Sequence, residues 1–246
     1  MKQKIKNMFN DFRLLLKSIP WWVTLLFIMS VVFMNLFANK VLFRSGDFLA
    51  ADGGILLSWI PFLTMDIVVK RYGPKAATKM NIFAVFVNLI CVGIFAGLAA
   101  IPGDGGDYSA FNTAFSSTWF IVLGSTLAFI ISGLANNFIN YGIGKLFKKN
   151  PDGKAAYVSR TYVSTFIGQF IDNAIFATIV FVIFGPMFWP GFEPFTFGLV
   201  MGTSVIGAVL ELVMQVVFSP IGYKMCKKWQ KEGVGQEYID AHPNEA

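Results

Sequence analysis

Six apolar runs, each close to the length of a membrane-crossing helix, dominate this chain: 21–43, 53–69, 80–101, 116–141, 163–184 and 197–223. A bilayer core about 30 Å thick takes about 20 apolar residues per crossing. With 55% hydrophobic residues, 27 phenylalanines and only 14% charged residues in 246, the chain cannot be a soluble domain or a disordered segment. The runs therefore predict an all-α membrane protein of six transmembrane helices. The Lys-rich start leads into a run too long for a signal-peptide core, and no small-residue cleavage site follows, so no cleavable leader is expected. Cys91 falls in a run and Cys226 in a basic tail, which suggests no disulfide framework.

The net charge of +6 is a topology signal rather than a nucleic-acid patch. Five Lys and Arg precede the first run, two follow it, four follow the second, five the fourth and four the sixth; none follows the third or fifth. Eighteen of the 20 fall on one side if both termini are cytoplasmic, the positive-inside arrangement. The expected location is the bacterial inner membrane. Three regions follow: an amphipathic interfacial segment over 1–20, a transmembrane domain over 21–225 and a cytoplasmic tail over 226–246. In the first, Ile5, Met8, Phe9, Phe12, Leu15, Leu16 and Ile19 recur at helical spacing, as in a helix lying in the leaflet surface. The outer loop Gly103-Asp104-Gly105-Gly106-Asp107 lacks the spaced ligand set of a calcium loop and reads as a turn, so no metal or other cofactor is expected.

Chemistry inside the membrane concentrates on a few side chains. Asp172 and Glu211 lie deep in the fifth and sixth runs, where a carboxylate costs at least ~2.5–3.5 kcal/mol to insert, so each calls for a partner, a cavity or a substrate path. Thr161, Thr165, Gln169, Asp172 and Asn173 share one side of a helix, as do Ser204, Gly207, Ala208, Glu211 and Gln215. The fourth run adds Ser125, Ser132, Asn136, Asn137 and Asn140, and the first adds Asn35 and Asn39. For Ser, Thr and Gly, close helix packing is explanation enough; for the two acids it is not. The second run is short and holds Trp59, Pro61 and Asp66, which suits either a kink or a binding site at a broken helix. Ser58 and Asp66 repeat the eight-residue spacing of Ser164 and Asp172, a faint sign of two inverted halves.

Three stretches together resemble a known family. Phe62-Leu63-Thr64-Met65-Asp66-Ile67-Val68-Val69-Lys70-Arg71-Tyr72-Gly73 is similar to its Asp, Tyr-Gly and basic-loop signature. Residues 111–146 share its Phe-x-x-x-Phe start, small-residue helix and Asn-rich close, and Val163-Ser164-Thr165 through Gln169 and Asp172-Asn173 looks like its Ser-Thr-x-x-x-Gln-x-x-Asp helix. The family is the six-span bacterial VUT family of vitamin uptake or queuosine-precursor transporters, and the likeness covers about 25–225. Met65 stands where the family has Thr, Gly133-Leu134-Ala135-Asn136-Asn137 replaces a Gln-x-x-Asp pattern, and Glu211 falls where some members carry Lys.

The resemblance implies import of a deazaguanine queuosine precursor, queuosine or a similar nucleobase-like or vitamin-like solute. Asp172, Gln169, Asn173, Glu211, Asn136, Asn140, Asp66 and Trp59 are the expected binding residues, Trp59 as a stacking platform. It also implies a distant relation to the substrate-binding subunits of energy-coupling-factor vitamin importers, the main alternative reading. Those subunits dock through small residues in span one, where this chain has Met29-Ser30-Val31-Val32-Phe33-Met34-Asn35, which favours a carrier working without such partners. The expected partners are the solute, the lipid bilayer and, as an open option, further copies of the chain. Intramembrane hydrolysis is disfavoured: no His-Glu-x-x-His or Gly-x-Ser-x-Gly motif occurs, His242 lies in the tail, and Asp66 and Asp172 lack the Gly-x-Gly-Asp setting of aspartyl proteases. The chain is not expected to be an enzyme.

Overall fold

A computed structural model describes residues 2–146 and 154–243 of the protein. Nine α-helices, one π-helical segment and one β-hairpin follow in order among them. They are α1 (Lys2–Ser18), α2 (Trp21–Phe37), β1 (Val41–Ser45), β2 (Leu49–Asp52), α3 (Ile55–Tyr72), α4 (Pro74–Ala100), α5 (Ser109–Leu146) and α6 (Lys154–Ala177). The π-helical segment Thr178–Phe184, α7 (Gly185–Phe188), α8 (Phe197–Glu232) and α9 (Gln236–Ala241) complete the chain.

Among the described residues, four helical stretches are long and apolar enough to cross a membrane: Pro74–Ala100, Ser109–Ser132, Thr165–Phe188 and Phe197–Phe218. A fifth arises if Lys6–Ser18 and Trp21–Phe37, bent 104° at Pro20, count as one broken span. The stretch expected as a second span does form a helix, α3, with Pro61 inside it and no interruption. Its 18 residues include Asp66, Lys70 and Arg71, and those charges leave its apolar length short. The expected first span also ends early, at Phe37. Val41-Leu42-Phe43, read from sequence as the end of a helix, instead begins a strand whose register pairs Val41 with Asp52 and Arg44 with Ala50. Gly46, at φ +58°, supplies the turn.

The chain forms two compact units: residues 1–33, 56–90 and 215–246 in the first, and 34–55 and 91–214 in the second. The first unit gathers Leu15 and Ile19 of α1, Val23 and Phe27 of α2, Ile67, Val68 and Tyr72 of α3, Met80 of α4, Trp229 of α8 and Tyr238 of α9 into one core. Gly73, at φ +87°, ends α3, and Pro74 opens α4 at once, so the corner costs a single residue. The apolar face of α1 divides in two. Met8 and Phe9 are 67% and 69% exposed, whereas Leu15 and Ile19 are 0% and 2% exposed against protein.

Polar bonds tie the ends of this unit down. The Arg71 guanidinium donates to the Val234 carbonyl from Nη2 at 2.7 Å and from Nε at 3.1 Å, and to Gln236 Oε1 at 3.3 Å. The Tyr72 hydroxyl donates to the Ser18 carbonyl at 2.7 Å. Asp11 accepts from Lys79 Nζ at 2.6 Å and meets His242 Nε2 at 2.7 Å. Hydrogen bonds to charged groups contribute about 1.5–3 kcal/mol each, so these hold both terminal segments to the helices between them.

The second unit has an aromatic core. Phe120 stacks on Phe184 and Phe188, Phe181 stacks on Phe195 at 4.6 Å, and Trp189 and Phe192 fill the edges. The π-helical segment carries Val180 and Phe181 into this core, and Gly124 of α5 meets Val180 and Ile179 where a side chain would not fit. The hairpin tip is seated on α8 by backbone: Gly198 faces the Asp47 carbonyl and Gly202 the Phe48 carbonyl, each too close for any Cβ. One hydrogen bond, from the Thr196 hydroxyl to the Asp47 carbonyl at 3.4 Å, supplements that fit. At the other end of the hairpin, Asp52 accepts from the Gly54 N–H at 2.7 Å. Desolvation pushes its carboxyl up to about 6, against the lowering effect of the Gly54, Asp52 and Ile55 N–H groups.

The loop 101–108 is built on Asx turns. Asp104 accepts from the Tyr108 hydroxyl at 2.8 Å and the Gly106 N–H at 3.2 Å, which together hold its carboxyl below the usual range. Asp107 accepts from the Ser109 N–H at 3.0 Å and so caps α5.

Candidate functional site: a two-acid cluster on three helices

The second unit brings residues of α5, α6 and α8 together around the two intramembrane acids. On α6, Thr165, Gln169, Asp172 and Asn173 recur at three- and four-residue intervals, so these four polar groups share one side of the helix. Ser132 of α5 reaches that side and donates its hydroxyl to Asp172 Oδ1 at 2.8 Å. The same hydroxyl also lies 3.2 Å from the Phe129 carbonyl, a choice between an in-helix and a cross-helix acceptor. From the next position of α6, Asn173 Nδ2 donates to Glu211 Oε2 of α8 at 3.4 Å. Glu211 is only 8% exposed, and Asp172 and Asn173 are half-buried.

Gly207, one turn before Glu211, allows this approach. A Cβ on Gly207 would lie 2.7 Å from Asn173 Nδ2 and 3.1 Å from its Cγ, so the amide rests directly on the α8 backbone. The hydroxyls of Thr203 and Ser204, a turn earlier, bond back to the Leu199 and Val200 carbonyls of their own helix and add nothing to the cluster. Asp172 and Glu211 are thus linked through neighbouring residues of one helix, each contacted by a neutral donor. A carboxylate has about four acceptor positions, and the Ser132 hydroxyl fills one of those on Asp172. The cluster is suited to accept hydrogen bonds from a solute rich in N–H groups. Among the described residues no group of three or more His, Cys, Asp or Glu is placed to hold a metal.

The eight residues expected from sequence divide as follows. Asp172, Asn173 and Glu211 come together, and Gln169 lies on the same side of α6 one turn away. Asp66 lies on α3 and Asn136 and Asn140 on α5, but their side chains are outside the described residues. Trp59 belongs to the first unit, not the second. One face of its indole is covered by Phe218 at 4.4 Å and 13°, and its Nε1–H donates to the Leu56 carbonyl at 3.1 Å.

Three features escaped the sequence reading. Ser132 was one polar residue among several on its helix; its spacing of four from Asn136 was the available signal. The π-helical segment begins six residues after Asp172 and closes with the Gly185 N–H bonded to the Val180 carbonyl. Such segments often accompany functional sites, yet nothing in Thr178-Ile179-Val180-Phe181 distinguishes it from an ordinary apolar turn. The third is the setting of Asn39, named from sequence without its partner: its Nδ2 donates to Thr118 Oγ1 at 3.1 Å, while its Oδ1 is buried without a hydrogen-bond partner.

Comparison with known proteins adds the family. No curated protein and no solved structure matches the chain. A family model described as putative vitamin uptake transporter does match, over residues 52–225, and that stretch contains all of Ser132, Asp172, Asn173, Gly207 and Glu211. Since it takes in more than two thirds of the 246 residues and all four stretches that are long and apolar enough to cross a bilayer, this chain belongs to the vitamin uptake transporter family and is a multi-pass membrane protein.

Proposed function

We propose that the protein imports a small nucleobase-like solute, a deazaguanine queuosine precursor or queuosine itself, and that the Asp172–Asn173–Glu211 cluster holds it. The observation that carries this reading is the pair of intramembrane acids linked through Asn173, with Ser132 fixing the orientation of Asp172. A deazaguanine presents a ring N–H beside an exocyclic amine, and one carboxylate can accept from both in a charge-assisted bidentate contact. Asp172 takes that role. Gln169 and Asn173, whose amides both donate and accept, read the ring carbonyl and neighbouring edge. Glu211 is the second acceptor, and its acidic character where some relatives are basic is the feature by which this member would differ in cargo. Asn136 and Asn140 remain candidates for the outer parts of the site, whereas Asp66 belongs to the first unit; an aromatic ring is the candidate for stacking, worth ~1–3 kcal/mol per base in nucleic-acid complexes.

In this reading the chain lies in the bacterial inner membrane with both termini cytoplasmic, as the side bias of its 20 Lys and Arg favours. It works as a carrier without energy-coupling-factor partners. The test is uptake of labelled deazaguanine bases and queuosine by a cell unable to make them, expressing this chain alone, with and without a protonophore. The expected result is accumulation that depends on the chain and is lost in Asp172→Asn at unchanged membrane levels. No uptake of any of these solutes would remove the queuosine reading.

A further inference from the structure

We infer that Gly207 is a positioning residue for solute binding: it leaves the space in which the Asn173 amide is held against Glu211. The inference rests on the reading of the cluster as the binding site. Gly207 and Glu211 are one turn apart on the same face of α8, so the seat for the amide and the acid that the amide contacts are presented together.

Two distances decide the matter. An added Cβ at Gly207 would stand 2.7 Å from Asn173 Nδ2, closer than real Cβ atoms come to such a neighbour. The hydrogen bond from that same nitrogen to Glu211 Oε2 is already 3.4 Å long, at the outer edge of the useful range. A methyl group at 207 must move the amide by a few tenths of an ångström, and no slack exists in the bond to absorb the movement. What moves is the far end of a flexible side chain rather than backbone, so the fold tolerates the change while the amide loses its place.

The second unit offers a direct contrast. Gly202 and Gly198 face backbone carbonyls of the hairpin, which cannot swing aside, so their role is structural. Gly93, on α4, has nothing within 4 Å of an added Cβ. Of these glycines, Gly207 is the one opposed by a side chain of the cluster.

The test is a double-mutant cycle on uptake kinetics of a labelled deazaguanine base, with membrane levels measured for every variant. Asn173→Ala is expected to raise KM about tenfold, as loss of one well-placed hydrogen bond does, with the maximal rate nearly unchanged. Gly207→Ala should reproduce that shift, and the double variant should be no worse than Asn173→Ala, because the methyl then occupies space the amide has vacated. Gly93→Ala serves as the neutral control. If Gly207→Ala alone fails to accumulate in the membrane, recovery of the double variant to the Asn173→Ala level and KM supports the inference, and failure to recover overturns it. A wild-type KM in Gly207→Ala, or losses that multiply in the double variant, would also overturn it. Full uptake in Asp172→Asn would instead reject the site reading itself, whatever Gly207 does.

Discussion

The two compact units use polar side chains for opposite ends. In the first, charged groups are held by fixed partners: Arg71 by the Val234 carbonyl and Gln236, and Lys79 by Asp11 and the Tyr238 hydroxyl. These bonds join segments far apart in sequence, 163 residues in the case of Arg71 and Val234, and they hold terminal helices in place. In the second, the acids accept from a hydroxyl and an amide, and the bond to Glu211 is long. Three hydrogen bonds hold the Arg71 guanidinium to the Val234–Gln236 segment, whereas Asp172 keeps acceptor positions beyond the one that Ser132 fills. The difference teaches that the strength of a charged group's existing partners must be counted before any role is assigned to it.

Substitutions can break that comparison. The largest expected effect is on Asp172→Asn, which should lower uptake at least about a hundredfold at unchanged thermal stability, since removing a charged hydrogen-bond acceptor from a bound solute costs several kcal/mol. Equal loss of stability would make Asp172 structural, like Arg71. Asp52 comes next. Its carboxyl, ordinarily near 3.8, is raised to about 6 in the folded protein, so the native state binds the extra proton. Stability is therefore highest below about pH 4, falls by roughly 3 kcal/mol as pH rises through 6, and is level above. Asp52→Asn keeps an acceptor for the Gly54 N–H, so it should abolish that slope and raise the melting temperature at pH 7; thermal melts in detergent across pH 4–8 measure both.

Arg71→Met should cost about 2–3 kcal/mol by leaving the Val234 carbonyl unsatisfied, yet leave the KM of the remaining folded protein unchanged. A KM shift would mean that the clamp serves transport as well. The smallest effect belongs to His242→Ala, which removes one of the two groups contacting the partly exposed Asp11 and should destabilise by at most about 1 kcal/mol.

Much of this was legible in the sequence, for reasons that separate particular residues. Apolar runs longer than any soluble helix requires made the membrane helices plain, and Asp172 and Glu211 stood out because a bilayer admits acids only with cause. The β-hairpin was hidden because Val41-Leu42-Phe43 continues the hydrophobicity of α2, and hydropathy does not register the change from helical to extended period. In α1, amphipathicity announced an apolar face but not its partner. Leu15 and Ile19 lie in one buried core with Tyr72, Met80 and Tyr238, while Met8 and Phe9 of the same face stay exposed. The acids and Asn173 were visible, but not that the amide would sit against the α8 backbone, because that depends on the missing side chain at Gly207.

The seat of the hairpin tip carries a consequence for the birth of the molecule. Asp47 and Phe48 are made early, but the groove they fill, at Gly198 and Gly202, arrives only with the last long helix, 149 residues after Asp47 at Thr196. During synthesis at ~5–20 residues per second, the tip therefore waits for roughly ten seconds or more with its backbone carbonyls unmatched. Until α8 threads into place, the nascent protein has an open strand pair at its side, and assembly of the second unit finishes from its two ends at once.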